Sequence, residues 1–145
     1  MSDRDVVFVS HANPEDNAFA TWLTLRLTRE GYRVWCDVAN LMGGDDFWNN
    51  IETSIRQRTR KFVFVLTHTS NRKQGPLQEL AVATGVARQL HEAGFVIPIK
   101  LDDLPHAEHN IQIHRLNALT FTTSVSPPAP WLIVTPATLN TCVTV

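Results

Sequence analysis

Cysteine is scarce: the 145 residues hold only Cys36, inside an apolar run, and Cys142, near the end. Two cysteines so placed make no disulfide framework. No apolar run approaches the ~20 residues of a membrane span. Met1-Ser2-Asp3-Arg4-Asp5 leads into an apolar stretch too short for a secretory signal. These absences predict a cytoplasmic location and no membrane partner. Net charge is missing too: 13 Lys and Arg against 14 Asp and Glu leave −1. That removes the bulk electrostatic basis for direct nucleic-acid binding by this segment. No Walker or dinucleotide-type glycine spacing is present, so Gly43-Gly44 reads as a loop turn before a phosphate cradle.

What is present alternates between strand and helix. Val6-Val7-Phe8-Val9 is a continuous β-branched run and predicts a strand buried on both faces. Asn13 as N-cap, Pro14 as first helical residue and two acids predict a helix carrying Phe19, Trp22, Leu23 and Leu27, which Gly31 ends. Tyr32 to Cys36 is a second strand, Asp37 to Asp46 a loop, and Phe47, Trp48, Ile51 and Ile55 mark a second helix. Phe62 to Leu66 is a third strand and Thr67 to Pro76 a polar loop. Leu77 to His91 is a third helix that Gly94 closes. Phe95 to Ile99 is a fourth strand, which Pro98 assigns to an edge or a strand end. Asp102 to Leu116 is a polar connection and Asn117 to Phe121 a short fifth strand.

Strands separated by helices predict an α/β fold: a flavodoxin-like, doubly wound, parallel five-stranded sheet with helices on both faces. The third helix has two apolar faces, Leu80, Ala81, Thr84 and Ala87 on one and Val82, Val86 and Leu90 on the other. Deep burial accounts for that; contact with another protomer is the alternative. Residues 1–123 form the domain. Residues 124–145, rich in Pro, Thr and Val and free of charge, form a tail of unclear structure.

In such a sheet ligands sit beyond the carboxyl ends of the strands. That constraint selects Ser10 to Asn13, Asp37 to Asp46, and Thr67 to Glu79. Glu79, in the first turn of the third helix, is either a catalytic anion or an acid complementing the helix dipole. Asp37 either orients a ligand or caps a loop. Ser10 and His11 are neighbours on a strand and point to opposite faces, which argues against a Ser-His nucleophile pair. His106, His109 and His114 lack metal-ligand spacing and read as solvated surface histidines, so no metal site is expected. Trp35, Phe47 and Trp48 read as core, with Trp48 the one beside the loop.

Phe8-Val9-Ser10-His11 with Glu15-Asp16 resembles the first box of the TIR (Toll/interleukin-1 receptor) family. Gly31 to Asp37, then Leu41, Gly43, Asp46-Phe47 and Ile51, resemble its second strand, BB loop and second helix. Gly75 to Ala83 resembles the segment bearing the catalytic glutamate of NAD-cleaving TIR enzymes. The resemblance spans Asp5 to Phe121. It implies that Glu79 is catalytic, with Ser10, His11, Asn13, Asp37, Leu41, Gly43, Phe47 and Trp48 binding substrate. It implies NAD or NADP as substrate, no cofactor, and activity on assembly with other TIR domains. His11 to Asp16, Asp46-Phe47-Trp48 and Glu79 to Thr84 are further similar to TIR-APAZ proteins, which partner short prokaryotic Argonautes in defence. That implies control by a short Argonaute through an APAZ region not contained in these residues. Two departures stand out: many TIR enzymes place a Ser and a Trp-Cys pair before the glutamate, where this chain has Lys73 and Gly75-Pro76. A non-catalytic TIR scaffold is the alternative. A receiver domain is excluded, because Leu66-Thr67-His68 and Ser10-His11 lack its acids. Ala12-Asn13-Pro14 likewise offers no flavodoxin phosphate loop.

Overall fold

The computed structural model describes residues 4–36, 51–116 and 118–120. Asp37, Leu41, Gly43, Phe47, Trp48 and the tail 124–145 lie outside them. The elements run β1 (Val6–Ser10), α1 (Asn17–Arg29), β2 (Arg33–Cys36), a π-helical segment (Ser54–Arg58), β3 (Thr59–Leu66), α2 (Gln74–Leu90), β4 (Val96–Lys100), a 3-10 turn (His106–Glu108) and β5 (Leu119–Thr120). The strands form one sheet in the order β2-β1-β3-β4-β5, and every pair is parallel. This is the flavodoxin-like order, whose switch point lies between β1 and β3.

Alternation along the strands divides the core in two. Val7, Val9, Val63, Val65 and Ile99 pack with Phe19, Leu23 and Leu27 of α1 on one face. Phe8, Phe62 and Phe64 pack with Ile51, Ile55 and with Leu80, Ala83 and Val86 of α2 on the other. Helices therefore cover both faces, which is why β1 and β3 read as unbroken apolar runs.

Several element ends differ from expectation. α1 starts at Asn17, not after an Asn13 cap. The Asp16 N–H closes a turn on the Ala12 carbonyl (2.8 Å), and the Asp16 carboxylate is taken by Thr67. Gly31 does end α1, at φ 96°, with Gly31 N–H on Thr28 and Tyr32 N–H on Leu27. α2 starts at Gln74, so Gly75 and Pro76 are helical and Glu79 stands in the second turn, not the first. Proline fits there because first-turn N–H groups have no helical partner. His91, at φ 52°, takes the left-handed position that Gly94 was expected to supply. The Gly94 carbonyl instead accepts from the buried Lys61 ammonium at 3.0 Å.

α2 buries one stripe, Pro76, Glu79, Leu80, Ala83 and Val86, while Ala81 and Leu90 are exposed, which corrects the expectation of deep burial. Nor is β4 at the edge, since β5 flanks it. β5 pairs only with Ile99 and Lys100, however, so Pro98 has a register partner on β3 alone. Among the described residues no helix is long and apolar enough to cross a membrane.

Candidate functional site

β1 is five buried residues, and its last, Ser10, ends the strand on the α2 face. Glu79 comes from α2 across the switch point. Its carboxylate is the one acid on the helix's buried stripe, at 3% exposure. Ser10 Oγ donates to Glu79 Oε1 at 2.6 Å across 69 residues of chain. That distance marks a strong, charge-assisted hydrogen bond that fixes one carboxylate oxygen.

His11 leaves β1 toward the α1 face, as strand alternation requires. Its Nε2–H donates to Asn17 Oδ1 at 2.8 Å, and Asn17 Nδ2 donates to Asn13 Oδ1 at 3.1 Å. Cys36, buried at the end of β2, sits 3.9 Å from His11 Nδ1. The Lys73 ammonium donates to the Asn13 carbonyl and pairs with Glu15 at 2.9 Å. Hydrogen bonding to that ammonium holds the Glu15 carboxyl below its ordinary value. Ser10 and Glu79 thus meet directly. His11 and Asn13 form a second group, one residue away along the chain and on the other face of the sheet.

The sequence reading missed Asn17. Its spacing from Asn13 is the i, i+4 pairing of one helix turn, and that is the signal that would have found it. Lys73, a departure from the family pattern, ties α2's start to the loop after β1. No local signal announces that contact.

Thr67, just past β3, donates to Asp16 Oδ2 at 2.8 Å. Burial pushes the Asp16 carboxyl above its ordinary value, with Thr67 and His11 opposing. A raised carboxyl contributes stability that is present below the unfolded value, about pH 4, and lost as pH rises through the folded one. Asp16→Asn keeps an acceptor for Thr67 and removes that loss. It should therefore be more stable than wild type at pH 7 and lose the advantage near pH 4. Urea melts at the two pH values check this; a gain at pH 4 and none at pH 7 would contradict it.

The loops after β3 and β4 are tied by Asp102. Its carboxylate accepts from the His68 ring (2.9 Å) and from the His68 and Leu104 backbone N–H groups (2.8 and 3.1 Å). Burial opposes ionisation, but these hydrogen bonds prevail and hold the carboxyl below its ordinary value. With Asp103 these groups form the only His and carboxylate set among the described residues whose ligating atoms converge. Both Asp102 oxygens are already engaged, so the set serves as a tether. The loop histidines need a correction: His109 is buried at 8% exposure, and the rings of His109 and His114 both pack on His106.

With this geometry in hand, known proteins supply a frame. The profile of the family described as TIR domain matches residues 7–129. A relative from Sinorhizobium fredii, the uncharacterized protein y4cD, is 31% identical over 99 residues; these cover 68% of the chain and only 16% of y4cD. Three solved structures share the fold. The TIR domains of the activated Roq1 resistosome, which recognises the pathogen effector XopQ, superpose at TM-score 0.59 and 19% identity, over 70% of this chain and 60% of that one. A TIR-STING receptor from C. gigas, in complex with 2',3'-cGAMP, gives 0.68 and 13%, over 80% and 34%. The TIR domain of the Toll-related receptor TRR-2 from Hydra magnipapillata gives 0.62 and 18%, over 79% and 82%.

Proposed function

Because the chain belongs to the TIR domain family, matched across residues 7–129, we propose that it is an NAD(P)-cleaving effector with Glu79 as its catalytic residue. The observation that carries this reading is the buried Ser10–Glu79 hydrogen bond at the β1/β3 switch point. An acid held on the inner face of a helix at that edge has no need to exist in a pure scaffold.

The chemistry suits one carboxylate. Nicotinamide is joined to ribose through a cationic ring nitrogen. When the C1′–N1 bond breaks, the electron pair stays on nicotinamide, which departs neutral without a general acid. Positive charge builds on the ribose, and the Glu79 carboxylate beside it stabilises that charge. Water adds at C1′, its proton goes to solvent, and ADP-ribose results. Ordinary glycoside hydrolysis needs a second carboxylate because its leaving group must be protonated.

In this reading Ser10 is a positioning residue that holds Glu79 Oε1. The substrate-binding role of His11, Asn13, Asp37, Leu41, Gly43, Phe47 and Trp48 is the one the family resemblance implies. NAD or NADP is the substrate, with no cofactor. Residues 1–123 are the TIR domain and 124–145 its tail. The active state is an assembly with other TIR domains. Control by a short Argonaute, through an APAZ region, is the finer form of the proposal. It is supported by the similarity of His11 to Asp16 and of Glu79 to Thr84 to TIR-APAZ proteins. The greater length of y4cD, of which this chain spans 16%, fits a module carried within a longer protein.

Proton NMR of NAD incubated with concentrated protein tests the reading: free nicotinamide signals should grow as those of NAD fade. NAD left intact by assembled protein would return the chain to the scaffold class. Ser10→Ala removes one hydrogen bond to a charged group, worth about 1.5–3 kcal/mol. It should lower kcat by about 10–100-fold with little change in KM and an unchanged circular dichroism spectrum. An unchanged kcat would remove Ser10 from the machinery.

A further inference from the structure

The loop after β4 gathers three imidazoles whose place in the fold the NAD-cleaving reading does not use. The His106 and His114 ring centroids are 4.4 Å apart, and those of His106 and His109 5.0 Å. His106 Nε2 donates to the His114 carbonyl at 3.0 Å. His109 is more than nine-tenths buried, and among the described residues neither of its ring nitrogens has a partner within hydrogen-bond geometry, although the Leu104 backbone lies close enough to favour the protonated ring. Buried polar groups almost always find one. A cavity of about 210 Å³ adjoins this ring, lined by Lys100, His106, His109, Leu116, Ala118 and Thr120. Lys100 and Thr120 are register partners at the ends of β4 and β5, so both side chains leave the same face of the sheet. Among the described residues the lining holds no carboxylate.

We propose that this cavity binds a phosphate-class oxyanion, with Lys100 as countercharge and the His109 ring and Thr120 hydroxyl as donors. Three observations converge on that ligand. The described lining offers positive charge and N–H or O–H donors and no acid. The size is below the roughly 300–1,000 Å³ of drug-sized sites, which suits inorganic phosphate or a terminal phosphoryl group and not a whole dinucleotide. Burial, then repulsion from the neighbouring basic groups of His106, Lys100 and His114, also hold the His109 imidazole below its ordinary value, against a backbone hydrogen-bond contribution from Leu104. The field that disfavours a proton on His109 is the field that attracts an anion. A transition metal fits less well. His106 Nε2 is committed to a carbonyl, the ammonium repels a cation, and the three rings are not among the sets whose ligating atoms converge.

The test is a histidine side-chain NMR titration of the intact chain with inorganic phosphate, at fixed pH and ionic strength. Adenosine, AMP and zinc chloride serve as parallel arms. The proposal expects the His109 ring resonances to shift saturably with phosphate and not with adenosine. Lys100→Gln and His109→Gln should each weaken binding by about tenfold or more with the fold retained. If His109→Gln does not fold, Lys100→Gln and Thr120→Val carry the test. Tighter binding of AMP than of phosphate identifies a nucleotide terminus as the source; equal or weaker binding identifies free phosphate. No saturable shift with phosphate, a shift with zinc alone, or phosphate binding that ignores the substitutions would overturn it.

Discussion

Glu79→Gln is expected to reduce nicotinamide release by at least about 1,000-fold, the effect of removing a group aimed at transition-state charge. The fold should survive, because glutamine keeps an oxygen for the 2.6 Å hydrogen bond from Ser10. NAD affinity should stay within a few-fold, since the lost interaction acts on charge that develops only as the bond breaks. Rates and binding measured on the same preparation separate these outcomes. Loss of turnover with retained binding and an unchanged thermal melt assigns Glu79 to the chemical step. Wild-type turnover in the variant would remove it.

Phe8→Ala carries the second large effect, on stability. Phe8 is fully buried in β1, between its neighbours β2 and β3. Its ring stacks on Phe62 at 5.3 Å and 13° and on Trp35 at 6.5 Å and 12°. Truncation removes the buried ring and leaves a cavity, at a cost of about 3–5 kcal/mol. Against a total stability of about 5–15 kcal/mol, that is enough to shift the urea midpoint strongly. Phe8 shares its strand face with Ser10, two residues on, so the loss also loosens the floor under Glu79. Phe8→Leu keeps most of the volume and should cost under about 1.5 kcal/mol. A Phe8→Ala loss below about 1 kcal/mol would mean that this aromatic layer does not hold the switch point.

The fold was legible where pattern and packing agree. Val6 to Val9 and Phe62 to Leu66 read as strands because both sheet faces are covered, and Gly31 read as a helix end because its φ of 96° favours glycine. The errors fall where a distant partner or a tolerated exception decides. Pro76 looked like loop but fits a first turn. Asp16 looked like a free helix acid but is claimed by Thr67 from 51 residues away. His91 takes a left-handed conformation without being glycine. In the site, strand-end geometry selects the segments Ser10 to Asn13 and Thr67 to Glu79 without pairing any residues, because the Ser10–Glu79 contact spans 69 residues and only the sheet order creates it. Burial of His109 was invisible for the same reason: its loop is pinned by Asn71, which bonds to Glu108 and Asn110. Asp37, Leu41, Gly43, Phe47 and Trp48 lie outside the described residues.

Cleavage of NAD by an assembly of this chain is the proposal on which the rest depends. Nicotinamide release per chain, followed across a protein concentration series with sedimentation run in parallel, tests it most directly. Release is expected to rise faster than in proportion to protein and to track the assembled fraction. Assembled protein that releases no nicotinamide would contradict it.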